Sequence, residues 1–405
     1  MKASFYGLLL YILLFVFKPA DHIPSLKPFR LALVVSILVL LFVIISGRFK
    51  LSKGLIPYLM FVYFVLSFFS LINSSYTQFS NISIVFLLKP VILFYLICCV
   101  LDNEEKIMKF IKVFTFAIFI DLFISILIFR SGQLGYRLIS FFQGIGADTN
   151  EYGMHILMII PFLVYFIETE KNLPKKLFYI FFILLSGYAM VRTYSRGSTL
   201  SAGVLFLMFG WIRRKDKKFI FAMVIILICI LLVTPQKFWN RLSTITADPT
   251  RADGSINARI AALKHGLELI KENLFFGIGF GAFRFASMRV VAFGEDTSHI
   301  AHNTYLEIAV ETGIINLIVF LLIIILAIRT CLSNMKKLSH YEGSIDLKNM
   351  NQALLMSLIV FCICVIFLSM RFDRFFYIVL ALILCIQDRA IELEKKNEER
   401  ELSKL

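Results

Sequence analysis

The 405-residue chain has little of what a water-soluble enzyme of its size carries. Only 17% of its residues are charged, with 27 acidic side chains against 42 Lys and Arg, and it has 9 prolines and 2 tryptophans. So little charge beside 59% hydrophobic residues, 43 of them Phe, excludes a soluble globular domain, whose interior could not hold that much apolar surface. Mean hydropathy is +0.83, and the bilayer is the solvent that suits it. A cleavable signal peptide is excluded as well, because the apolar stretch 4–18 runs into "KPADHIPSLKP" with no small-residue cleavage site. Of the 7 cysteines, Cys98, Cys99, Cys229, Cys362, Cys364 and Cys385 lie in apolar runs and Cys331 follows one. None falls in a loop expected outside, which argues against a structural disulfide on the oxidising face. Internal repeats and low-complexity tracts are absent too.

What is present is a series of apolar runs: 4–18, 31–46, 55–72, 82–100, 107–129, 152–167, 176–191, 199–212, 218–234, 305–328, 353–370 and 374–388. They predict an all-α integral membrane protein of about 12 transmembrane helices. The polytopic domain covers 1–389, and the charged segment 390–405 forms a cytoplasmic tail. Within the runs, Lys89 and Asp121 are the main intruding charges. Lys and Arg in short loops mark the cytoplasmic side. With both termini inside, the inner loops carry Arg48, Lys50, Lys53, Lys106, Lys109, Lys112, Lys171, Lys175, Lys176, the "RRKDKK" of 213–218, Arg329, Lys336, Lys337 and Lys348. The net charge of +15 is therefore topological, and no nucleic-acid partner is expected.

The short outer loops differ. After the first hairpin they hold Arg130, Arg137, Arg192, Arg196, Arg371 and Arg374 and no lysine. Snorkelling to lipid headgroups accounts for one such arginine taken alone. As a set they suggest a pocket for an anion such as a diphosphate, because guanidinium is a planar fork of donors that stays charged. One outer segment is long, 235–303, between the ninth and tenth spans. Its centre, about 256–273, predicts an amphipathic helix, with Ser255 as N-cap, Ile256, Ile260, Leu263, Leu267 and Ile270 on one face, and Arg259 at the border of that face. The following "FFGIGFGAF" contains Gly277, Gly279 and Gly281, but it lacks the strand–helix setting of a dinucleotide fingerprint. Its glycines are expected to let backbone approach another helix or a substrate closely.

Next comes "SHIAHNTYLEIAVETG", residues 298–313. Thr304-Tyr-Leu-Glu307 fits a capping box that starts a helix at about Tyr305. His302 precedes the first turn, where the helix dipole disfavours imidazolium, so a neutral ring able to take a proton is expected. Glu307 and Glu311 lie one turn apart and need partners, for which the outer arginines are the candidates. Three readings compete: a metal site using His299 and His302, a structural cap by His302 and Asn303, and a general base beside an arginine-lined anion site. The spacing is not that of a helical zinc pair and no cysteine joins it, so no metal is expected.

The run of Arg259, "GIGFGAF" and "AHNTYLEIAVETG", with "TYSRGS" at 193–198 and "DTNEYG" at 148–153, resembles the O-antigen ligase/polymerase family in motif order. The resemblance implies a bacterial inner-membrane glycosyltransferase with its site on the outer face. Such an enzyme is metal-independent, inverting and cofactor-free, and takes a glycan from an undecaprenyl-diphosphate carrier to an acceptor hydroxyl on lipid, glycan or protein. Carried over by position, Arg196 and Arg259 would hold the diphosphate and His302 would activate the acceptor. Asn303, Glu307, Glu311, Arg371, Asp373 and Arg374 are further candidates. Polymerisation of O-antigen or exopolysaccharide is the alternative within the family. A lipid-linked glycan transporter is the rival outside it, though mid-membrane charges and repeated halves would be expected there.

Overall fold

A computed structural model describes residues 2–47, 52, 54–129, 137–144, 146, 148–243, 254–291, 300–341 and 345–402. The candidates His299 and Arg130 and the inner-loop Arg48, Lys50 and Lys53 lie outside them. In chain order the α-helices are α1 Lys2–Phe17, α2 Pro19–His22, α3 Leu31–Ile45, α4 Ile56–Phe69, α5 Thr77–Val100, α6 Glu104–Ile128, α7 Thr149–Thr169, α8 Leu173–Thr193, α9 Arg196–Ile212, α10 Lys217–Leu232, α11 Gln236–Ser243, α12 Gly254–Glu272, α13 Phe283–Val291, α14 Thr304–Thr312, α15 Ile314–Leu338, α16 Ile345–Cys364 and α17 Arg374–Leu402. No strand occurs among the described residues.

Among the described residues eight helical spans are long and apolar enough to cross a membrane, and a ninth results if α10 and α11, bent by 97° at their junction, form one broken span. This is fewer than the about 12 expected, for visible reasons. The apolar helices α1 and α9 have 16 and 17 residues, short of the ~20 that a bilayer asks for. The last apolar run, 374–388, is joined without a break to the charged tail in the 29-residue α17, so charges bound it before it reaches full spanning length. That tail packs: Lys337 Nζ lies 2.5 Å from Glu394 Oε2, and Ala390 is buried.

The run 305–328, expected as one helix, is broken at Gly313 into α14 and α15. Gly313 has φ +85°, and a Cβ there would collide with the Phe275 carbonyl. The core runs along α7, α16 and α17, where most side chains from Phe375 to Ile386 are sealed from contact with lipid or water. Such all-round burial is what an apolar helix without a polar face requires. By contrast α10 has no buried side chain, so it stands off the bundle.

A helix, α12, covers the stretch expected to be amphipathic, but its buried side is unexpected. Ala262 and Gly266 face α14, and a Cβ on Gly266 would stand 2.9 Å from Leu306. The apolar stripe Ile260, Leu263 and Leu267 is 44–49% exposed. Small residues let the two helices touch, and these three aliphatics face outward, while Leu269 and Ile270 pack against the cluster of Ala262 and Leu306.

Candidate functional site

The starts of α7, α9, α14 and α17 meet at one end of the bundle. Between α8 and α9, Tyr194 adopts φ +50° and Ser195 caps α9 by accepting from the Ser198 amide. This makes Arg196 the first helical residue of α9. Ser198 Oγ reaches Ser195 Oγ at 2.9 Å and the Asn150 carbonyl at 3.5 Å. The "TYSRGS" turn is thereby tied to the opening of α7, where Asp148 caps by accepting from Asn150 N. Arg137 completes this corner: Nε donates to the Thr193 carbonyl at 2.8 Å and Nη2 to Asn150 Oδ1 at 2.8 Å.

Arg196, Arg241 and Arg259 face Arg137 at distances where their charges act on one another, with Asp148 the carboxylate that opposes them there. Burial, then the neighbouring Arg241 and Arg196 guanidiniums, pushes Arg137 down to about 10. Arg259 is held below the usual guanidine range by burial, then by Arg196 and Arg241, and its buried Nε has no hydrogen-bond partner. A buried guanidinium donor left unsatisfied among neighbouring guanidiniums is an arrangement suited to an anion.

His302 stands at the edge of this group. Burial, then the Arg259 guanidinium, lowers its basicity, with Asp148 and Glu307 opposing. A neutral imidazole near pH 7 results, from burial and Arg259 and not only from the helix dipole invoked from sequence. Its backbone is at φ +49°, a region that His enters more readily than most residues.

The capping of α14 departs from the expected box. Asn303 is the N-cap and accepts from Leu306 N at 3.0 Å, and the helix begins at Thr304. Thr304 turns away from its own helix. Its amide donates to the Val365 carbonyl at 2.9 Å, its hydroxyl donates to the Leu368 carbonyl at 2.6 Å and accepts from Met370 N at 2.8 Å. The loop before α17 is thus fastened beside His302. From that loop Arg371 enters between Glu307 and Glu311: it pairs with Glu307 Oε2, and its Nε is 3.0 Å from Glu311 Oε2 but not aligned for a hydrogen bond. Glu311 Oε1 accepts from Phe283 N, and the glycine-rich loop runs alongside, Ile278 N and Gly279 N donating to the Val310 and Glu311 carbonyls at 3.0 Å. A Cβ on Gly277, at φ +66°, would enter the Glu311 carbonyl, so backbone-on-backbone contact is what that glycine permits.

The sequence-predicted residues therefore divide. Arg196, Arg259 and His302 come together; Glu307, Glu311 and Arg371 form a buried ion cluster beside them; Asp373 and Arg374 do neither. Asp373 Oδ1 lies 2.7 Å from Nε2 of the buried His155, and its Oδ2 accepts from Phe376 N. His155 and Arg241 were not singled out from sequence: one is a lone polar residue in an apolar run, the other sits in the short helix α11, which no motif marks. Beside Arg241, an apolar cavity of about 660 Å³ opens between α7, α8, α9, α10 and α11, lined by Val164, Gly187, Gly203, Ile226, Phe238 and Trp239 among others.

Residues 181–321 match the family model described as O-Antigen ligase, a stretch that holds Arg196, Arg259, His302, Glu307 and Glu311 but ends before Arg371. A search among curated proteins finds no match. Many apolar helices and this match mark the chain as a multi-pass membrane protein whose residues 181–321 are similar to the O-antigen ligase family.

Proposed function

We propose that the chain transfers a glycan from an undecaprenyl-diphosphate carrier to an acceptor hydroxyl on the outer face of the bacterial inner membrane, with both termini in the cytoplasm and about 12 crossings. The observation that carries this reading is the arginine group around His302, half-buried cations set near one another. His302 takes the proton of the acceptor hydroxyl as its oxygen attacks the anomeric carbon. The bond to the diphosphate breaks on the opposite side, so configuration inverts. The charge that develops on the departing diphosphate falls to Arg196 and Arg259, with Arg137 and Arg241 beside them, and this fixed positive field does the work of a metal. The apolar cavity next to Arg241 offers a lipid tail a lateral way in from the bilayer.

Surface and lipid-linked glycan from a deletion strain complemented with wild type or His302→Asn tests the proposal. Full-length glycan stranded on the carrier in both the deletion and His302→Asn is the result expected of a ligase. Single repeat units stranded there indicate the polymerase alternative, with the same residues at work. A wild-type glycan profile from His302→Asn, at equal protein level, removes the general base. For the topology, an impermeant thiol reagent should label Asp253→Cys and not Lys215→Cys; the reverse pattern puts the site on the wrong side of the membrane.

A further inference from the structure

Four basic side chains outside the arginine group gather at the same end of the bundle, on the α1, α3, α5 and α17 side. Lys18 follows α1, Arg30 precedes α3, Lys89 lies within α5 and Arg374 opens α17. Contacts fix the places of Lys18, Lys89 and Arg374. Lys18 Nζ donates to the Gln143 carbonyl at 2.8 Å, and the Arg374 guanidinium lies over the Phe15 ring at 4.9 Å. The Lys89 ammonium lies over Phe86 at 4.6 Å, and that ring is 6.2 Å from Phe372, two residues before Arg374. The charge of Arg374 acts on both Lys18 and Lys89, and that of Arg30 on Lys89. The carboxylates that reach this group, Asp21 and Glu151, act on Lys18. Among the described residues Arg30, Lys89 and Arg374 have no ion pair.

Lys89 is the telling member. It lies 12 residues inside α5, roughly 18 Å from the helix start at 1.5 Å per residue. A cation so far into a membrane helix is rare unless a cavity or partner receives it. Lys89 and Arg30 are exposed, and Lys18 and Arg374 are half-buried, so a ligand can reach all four. The His155–Asp373 pair adjoins this group, with Asp373 next to Arg374 in sequence and Glu151, which acts on Lys18, one turn before His155. Phe15, Phe86 and Phe372 give the basic group apolar walls. Cations with aromatic walls beside a membrane suit the phosphorylated head of a lipid.

We infer that Lys18, Arg30, Lys89 and Arg374 form a second anion site, which binds the phosphate or diphosphate head of the acceptor lipid while the arginines around His302 hold the donor. The word acceptor rests on the proposed function; the site itself does not. A membrane phospholipid carries the same chemistry, so the test separates the two.

The full-length chain in detergent micelles is titrated with undecaprenyl diphosphate as the probe and followed by native mass spectrometry. Wild type should bind two equivalents. Arg259→Ala should lose one and keep the other. Lys89→Gln should weaken the remaining one by about tenfold or more, the effect of losing a charge-assisted contact, and Lys89→Gln/Arg374→Gln should abolish it. The equivalent each variant keeps shows that it is folded. One equivalent in wild type, lost in Arg259→Ala and untouched by Lys89→Gln, overturns the second site and leaves the proposed function standing. Two equivalents of which Arg259→Ala removes none, while the double variant removes one, keeps the second site and sinks the donor assignment. Displacement of the second equivalent by an equal concentration of phosphatidylglycerol overturns the acceptor assignment, leaving a site for ordinary membrane lipid.

Discussion

Arg371 and Arg259 are both arginines at the same end of the bundle, and their surroundings could hardly differ more. Arg371 is enclosed by Glu307 and Glu311, with Phe280 and Phe372 against its guanidinium. Arg259 faces other arginines and keeps an unsatisfied Nε. The first is neutralised by the chain itself and holds α14 to the loop before α17. The second has guanidiniums for its nearest charges, with Asp148 opposing them, and a donor still unsatisfied. An arginine's residue type therefore says little about its work; the sign of its neighbours says more.

Substitutions can break or sharpen this contrast. The largest effect on stability is expected at Arg371. Arg371→Met leaves two buried carboxylates without their cation and should destabilise the fold by about 3–5 kcal/mol, read by thermal unfolding in detergent. Adding Glu307→Gln and Glu311→Gln should recover much of that loss. A stable Arg371→Met protein with lost transfer would move Arg371 to the side of the chemistry. For Arg196→Ala and Arg259→Ala the expectation is opposite: melting unchanged and transfer lower by about 10²–10³, the scale of losing one donor to a developing negative charge. Lysine at either position should restore little, because the fork is gone; full activity with lysine would remove the bidentate contact.

A smaller effect is expected in the pH profile. A general base works when unprotonated, so transfer should fall as pH drops through the His302 pKa, which lies below the ordinary value of about 6.5. Arg259→Gln removes a positive neighbour and should move that acidic limb upward in pH, measured on the residual activity. A limb that stays in place would separate Arg259 from His302. The smallest effect belongs to Asn303→Ala, which deletes the α14 cap and should cost about 1 kcal/mol of stability by thermal unfolding.

Hydropathy made most of the membrane helices legible, because a spanning segment announces itself residue by residue. Arg196, Arg259 and His302 could be singled out because they stand in motifs whose order resembles that of the O-antigen ligase/polymerase family; that they lie near one another in space could not be read there. What stayed hidden depends on partners far away in sequence. The His155–Asp373 contact joins residues 218 apart, and nothing near His155 reveals it. Thr304 looked like a cap because its neighbours fit one; its hydroxyl is instead engaged by Leu368 and Met370, leaving the cap to Asn303. Periodicity found the two faces of α12, but which face packs depends on whether Leu306 meets small or large residues. Gly313 was readable as a glycine, while the Phe275 carbonyl that forbids anything larger was not.

The backbone of His302 has a consequence for what position 302 can become. At φ +49° the tolerated alphabet is short, and histidine, asparagine, aspartate and glycine lead it. Of these, histidine alone carries a ring that is basic near neutrality. Conformation and the proposed reactivity thus select the same letter independently, and Asn is the replacement that changes the second while sparing the first.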